Sequence, residues 1–121
     1  MLTYGRIKDG FFHELKLRGF LTERVLPELS DAYSYSLIEQ IQNEISIQTA
    51  GEIPFAPPAE QINYTTQCRL TQPVAAVLQL GMLAHILPEY LPLYERKLQL
   101  IKMMLSSTSE YFGEISLSDE L

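Results

Sequence analysis

Seven prolines, at positions 27, 54, 57, 58, 73, 88 and 92, decide where this chain can hold a helix. Proline has no N–H to give, and its ring collides with the preceding turn. A helix therefore accepts it in the first turn and nowhere deeper. Four stretches between these positions carry apolar residues at helical spacing, and the chain reads as all-α, a single-domain four-helix bundle. The predicted helices cover about residues 4–18, 28–49, 72–87 and 92–112.

In the first window Thr3 is a capping residue, and Ile7, Phe11 and Leu15 form an i, i+4, i+8 stripe with Phe12 beside it. Lys16 and Arg18 suit the negative end of the helix dipole, and Gly19 supplies a left-handed stop. The second window opens near Pro27 or Ser30. Tyr33, Leu37, Ile41 and Ile45 repeat along it every four residues with Ile38 alongside, while Asp31, Tyr35, Glu39, Gln42 and Ser46 fall on the other face, and Gly51 ends it. The third, with Pro73 in its first turn, is apolar on nearly every side and rich in small residues (Ala75, Ala76, Gly81, Ala84), the pattern of a central helix. Pro88 ends it, Pro92 opens the fourth helix, and Gly113 stops the run. The expected core is Ile7, Phe11, Leu15, Leu37, Ile41, Ile45, Val77, Leu78, Leu98, Ile101 and Leu105.

Two segments do not read as helix. From Gly51 to Leu70 the periodicity vanishes and Pro54, Pro57 and Pro58 block regular ladders, giving a long Pro-containing loop. A connection of that length without structure is unusual in a compact domain and points to function. Residues 114–121 alternate apolar and polar and read as a short extended C-terminal tail, so the expected division is a helical domain at 1–113 and a docking tail at 114–121.

Charge is distributed in blocks. Residues 1–25 hold five bases against three acids, whereas no base stands between Arg24 and Arg69, where six acids lie; the last nineteen residues carry four acids and no base, and the chain as a whole is −6. That balance lacks the basic footprint of tight nucleic-acid binding. An apolar fraction of 46% and a charged fraction of 20% exclude wholesale disorder. No apolar run reaches the roughly 20 residues of a membrane span. Residues 1–9 contain no apolar signal core, so no secretory leader and no membrane association are expected.

Catalytic and metal chemistry finds no foothold. His13 has only the adjacent Glu14, and neighbours at i, i+1 do not share a helix face. His85 stands alone near a helix end, Cys68 is a lone thiol beside Arg69, and no phosphate loop or nucleophile elbow is present. No catalytic residue, cofactor or metal is expected, and the chain reads as an interaction protein.

The order of elements is informative here. A short helix closing on Lys16-Leu17-Arg18-Gly19 precedes a long one opening at Asp31-Ala32, and a loop with Pro57-Pro58-Ala59-Glu60 follows. Then come Val74-Ala75-Ala76-Val77, the run Leu83-Ala84-His85-Ile86-Leu87-Pro88-Glu89-Tyr90, and a last helix with Lys102-Met103-Met104-Leu105. Over about residues 4–105 this resembles the head–tail adaptor (tail accessory, or head-completion) proteins of tailed bacteriophages, especially short-tailed ones. Such adaptors often place a Trp near the end of the long helix, where this chain has Ile45 and Ile47.

The resemblance implies a virion protein at the head–tail junction, made in the bacterial host cytoplasm. It implies a homo-oligomeric ring of twelve copies beneath the portal protein, a channel through which DNA passes without specific binding, and a platform for the tail nozzle or another tail component. On that reading Ile115, Leu117, Asp119 and Leu121 are the portal-docking tail. Glu28, Asp31, Glu39 and Glu44 are acids of the channel or its rim, and Lys8, Lys16 and Arg18 meet the acids of a neighbouring subunit. The alternative is a small acidic helical chaperone, or an interaction module of a bacterial assembly or secretion system.

Overall fold

The computed structural model describes residues 2–19 and 30–120, with side chains as far as residue 105. The fold is all-α. Four helices, α1 (Tyr4–Leu17), α2 (Asp31–Gln48), α3 (Gln72–Ile86) and α4 (Leu91–Glu120), are joined by a loop holding a single 3₁₀ turn at Ala59–Gln61 and by a second such turn at Pro88–Tyr90.

Each helix starts and stops for a local reason. Thr3 Oγ1 accepts from the Arg6 amide at 3.3 Å, and α1 closes where the Gly19 amide, at φ +70°, reaches the Lys16 carbonyl. Ser30 caps α2 by accepting from the Tyr33 amide at 3.3 Å. Its far end is a two-bond stop: Ala50 N donates to the Ile47 carbonyl and Gly51 N to the Ser46 carbonyl, with both residues left-handed (φ 53° and 82°). Pro73 sits in the first turn of α3 and Pro88 lies just past its end, as the sequence predicts. Positions 20–29 and 121 lie outside the described residues, and with them Glu28, Pro27, Leu121 and the predicted start of α2 at 28.

α3 is the centre, packing against α1, α2 and α4. Contacts between residues set the directions. Pairs Tyr4–Gln42 and Lys8–Asp31 run α1 against α2, while Glu44–Tyr94 and Gln48–Lys102 run α2 along α4. All the expected core positions are buried except Leu105, which packs half-buried against the cluster. Gly81 lets three helices meet. A Cβ there would stand 2.5 Å from Ile41 Cγ2 and 2.9 Å from Tyr94 Cε1, so the absent side chain sets how closely α2 and α4 approach α3.

Three expectations need correction. The first concerns α2, which has no polar outer face: Tyr35, Gln42 and Ser46, placed outward by the pattern, are 8%, 2% and 0% exposed. α1 and the loop cover that side, and Gln42 is bonded to both, accepting from Tyr4 Oη at 2.9 Å and donating to the Pro54 carbonyl at 3.1 Å. Secondly, the loop is organised. Its carbonyls at Tyr64 and Thr66 accept from the Gly5 and Tyr4 amides, Cys68 N donates to the Leu2 carbonyl, and Thr3 pairs antiparallel with Gln67. The free amides of the first turn of α1 are thus capped from 60 residues downstream rather than by water alone. Thirdly, residues 114–120 are not extended: α4 continues through Glu120. A glycine inside a helix costs about 1 kcal/mol against alanine, but stopping a helix takes the left-handed turn and cap bonds seen at Gly19 and Gly51. The expected division at residue 113 therefore falls inside one helix.

Candidate interaction surfaces

The acids expected along a channel are engaged within their own chain. Asp31, 66% exposed, accepts from Lys8 Nζ at 3.0 Å. Glu39 Oε2 accepts from the Ala59 amide at 3.0 Å, tying the loop to α2, and Glu44 Oε1 accepts from Tyr94 Oη at 3.1 Å. Burial, then the charge of Glu44, raises the Tyr94 phenol above its ordinary pKa, so the hydroxyl stays a donor. Glu28 lies outside the described residues. Asp31 and Glu39 do share one side of α2, but each already has an assigned partner.

Lys8 is engaged within its own chain as well. It was expected to reach a neighbouring subunit, but it is buried against its own chain, its ammonium within 5.2–5.9 Å of the ring centres of Phe12, Tyr35 and Tyr64. Desolvation pulls its pKa down; the hydrogen bond it donates to Asp31 and the surrounding charges outweigh that and leave it raised. Tyr64, whose hydroxyl donates to Asp9 Oδ2 at 2.5 Å, closes the cage from the loop. Sequence periodicity has no means of finding this arrangement, because residue 64 belongs to an aperiodic segment.

Arg6, Lys16 and Arg18 are a different case. All three are exposed, and among the described residues the only ion pair is Lys8–Asp31, so these cations have no acidic partner there. Arg6 and Arg18 stand at opposite ends of the seam where α1 and α3 run side by side. One cleft of about 490 Å³ lies beside Arg6, Gln72 and Ala75; a second, of about 380 Å³, lies beside Arg18, Leu83 and Tyr90. Both are lined by Ala76 and Gln79, and the Gln79 amide reaches Gly10 on α1 between them, so they are neighbouring stretches of one trough along the α1–α3 seam. Arg18 rests over the Tyr90 ring at 5.4 Å. The sequence did flag Ala75 and Ala76 as small, but as signs of close packing rather than of a groove.

The proline segment forms a strap along α2. Gln42, Asn43 and Glu39 hold it at Pro54, Ala56 and Ala59, leaving Phe55 59% exposed. α4 adds Leu93, Leu100 and Met103 to the exposed apolar surface. His13 and His85 are exposed, and Cys68 is buried with its thiol pKa raised by desolvation. Among the described residues no three His, Cys, Asp or Glu gather where a metal would be held, and no helix is long and apolar enough to cross a membrane.

Compared with known protein families, with curated proteins and with solved structures, the chain matches none.

Proposed function

We propose that this chain is a non-enzymatic head–tail adaptor of a tailed bacteriophage, forming a ring of twelve copies beneath the portal, continuing the DNA channel and seating the next tail component. The observation that carries the reading is the unit from Val74 to Tyr90. In the fold this unit is the central helix, closing on the Pro88–Tyr90 turn from which α4 emerges, and it is also the most specific part of the sequence resemblance. Two further features support it. The net charge of −6 and the absence of a basic footprint suit a lumen that must let phosphates slide. α4, at 30 residues about 45 Å long, is twice the length of α3, long enough to run past the central helix.

The test is electron microscopy of the purified chain incubated with portal rings from a tailed phage whose genome encodes it. Twelve copies on the lower face of each portal are expected. A chain that stays off the portal, or that forms a one-to-one or two-to-one complex with a secreted protein, would remove this reading and favour the chaperone.

A further inference from the structure

From the trough between α1 and α3 we infer that it receives the acidic C-terminal segment of a second copy of this chain, residues 106–120. Charge complementarity is the first argument. The trough has Arg6 at one end and Arg18 at the other, both exposed and neither ion-paired among the described residues. The segment carries Glu110, Glu114, Asp119 and Glu120 and no base. Dimensions agree as well. Arg6 and Arg18 are twelve residues apart, about 18 Å along α1, and 106–120 as helix spans about 22 Å.

Between the charged ends the trough is lined by Glu14, Ala76, Gln79, Leu80 and Leu83, and Glu14 Oε2 accepts from Tyr90 Oη at 3.5 Å. The segment offers Phe112 and Ile115, which at 100° per residue fall on the line of Ile101 and Leu105. That line faces the core where α3 is present to cover it.

The chain's own segment is badly placed to fill its own trough. α2 runs against α1 and along α4, so α4 leaves the body at the end where α1 begins, heading away from Arg18. Reaching its own Arg18 would require breaking the helix and reversing it. A neighbour's segment needs neither. Such a contact joins two different surfaces, and repetition of it closes a ring or continues as a filament. It stands without the adaptor reading, since it uses only this chain's own surfaces.

The experiment uses two full-length variants and sedimentation equilibrium at low salt. One carries Arg6→Glu and Arg18→Glu, the other Glu110→Lys and Glu120→Lys. Each variant alone sets like charges against each other and is expected to associate at least tenfold more weakly than the parent. Mixed, the two present opposite charges at every contact, and association is expected to return, which also shows that both are folded. A parent chain that stays monomeric overturns the inference, as do variants that associate as well as the parent. A mixture that stays apart while both chains keep their helical circular dichroism also overturns it and places the segment on another surface, a portal included. Self-association without portal binding would keep this contact and remove only the adaptor reading.

Discussion

Lys8 Nζ lies 3.0 Å from Asp31 Oδ1, joining the second turn of α1 to the first residue of α2, and the two side chains are unequal in burial, 10% against 66% exposed. The consequences of removing them are unequal too. Asp31→Ala leaves a buried ammonium without its hydrogen-bonding carboxylate, with aromatic faces and the charge of Asp9 around it, whereas Lys8→Met leaves an exposed carboxylate that water solvates. Asp31→Ala is expected to lower unfolding stability by about 2 kcal/mol and Lys8→Met by less than about 1 kcal/mol. The double variant should lose less than the two losses added. Urea denaturation of the four chains checks this; equal losses from the two single variants would show that burial of Lys8 plays no part.

The same pair marks the boundary of what the sequence makes legible. Helix number, the Thr3 and Ser30 caps, the Gly19 and Gly51 stops and the Leu37-Ile41-Ile45 stripe all follow from interactions within four residues, so pattern alone finds them. The second buried side of α2 does not, because what covers it comes from α1 and from an aperiodic loop. Gln42 looks like a surface residue until Tyr4 and Pro54 arrive on either side of it. Gly113 shows the converse error. A glycine is a stop only with cap bonds around it, and those depend on the path the chain takes next. The trough between α1 and α3 was hidden for the same reason: Arg6 and Arg18 belong to one site only once α3 lies alongside both.

Two glycines in helices should respond in opposite ways to alanine. At Gly81 the new methyl would stand 2.5 Å from Ile41 Cγ2 and 2.9 Å from Tyr94 Cε1, both on side chains fixed in the core. Overpacking costs about 1–3 kcal/mol and outweighs the roughly 1 kcal/mol gained in helix propensity. At Gly10 the methyl meets only the end of Gln79, at 2.6 Å from Nε2, and that flexible amide can swing aside. Gly10→Ala is therefore expected to be neutral or up to about 1 kcal/mol stabilising, and Gly81→Ala to be destabilising. Thermal unfolding of the two variants decides it, and a stabilised Gly81→Ala would refute the close approach of α2, α3 and α4.

The strap at Pro54–Ala59 is held by side chains rather than by a ladder. Ala56 N donates to Asn43 Oδ1 at 2.9 Å and Ala59 N to Glu39 Oε2 at 3.0 Å. Asn43→Ala should remove the acceptor for the Ala56 amide at a cost of about 1 kcal/mol, without disturbing the core helices. Amide hydrogen exchange is the sensitive measurement: Ala56 should exchange at least tenfold faster while amides in the middle of α3 stay protected. A uniform acceleration throughout the chain would mean instead that Asn43 supports the global fold.

Alkaline pH should unfold this chain through groups that hold their protons more tightly when folded. Burial, with a contribution from nearby Cys68, pushes the Tyr4 phenol from 10.0 up to about 12; burial likewise raises Tyr94, Tyr35 and Cys68, and Asp31 keeps Lys8 raised despite its desolvation. For every one of these the folded state binds more protons than the unfolded state at a given high pH, so unfolding stability falls as pH rises. The contribution is fully present below the unfolded values, about pH 9 for the thiol and 10 for the phenols, and is lost as pH climbs through the folded ones. For Tyr4 alone, the rise from 10.0 to about 12 corresponds to a loss on the order of 2–3 kcal/mol. Tyr4→Phe separates this from general alkaline damage. It deprives Gln42 Oε1 of its donor and should lower stability at pH 7 by about 1 kcal/mol, yet it removes the ionisable group. Urea midpoints at pH 7, 9, 10 and 11 should then fall less steeply above pH 10 for the variant than for the parent. Parallel curves would show that Tyr4 keeps an ordinary pKa in the folded chain.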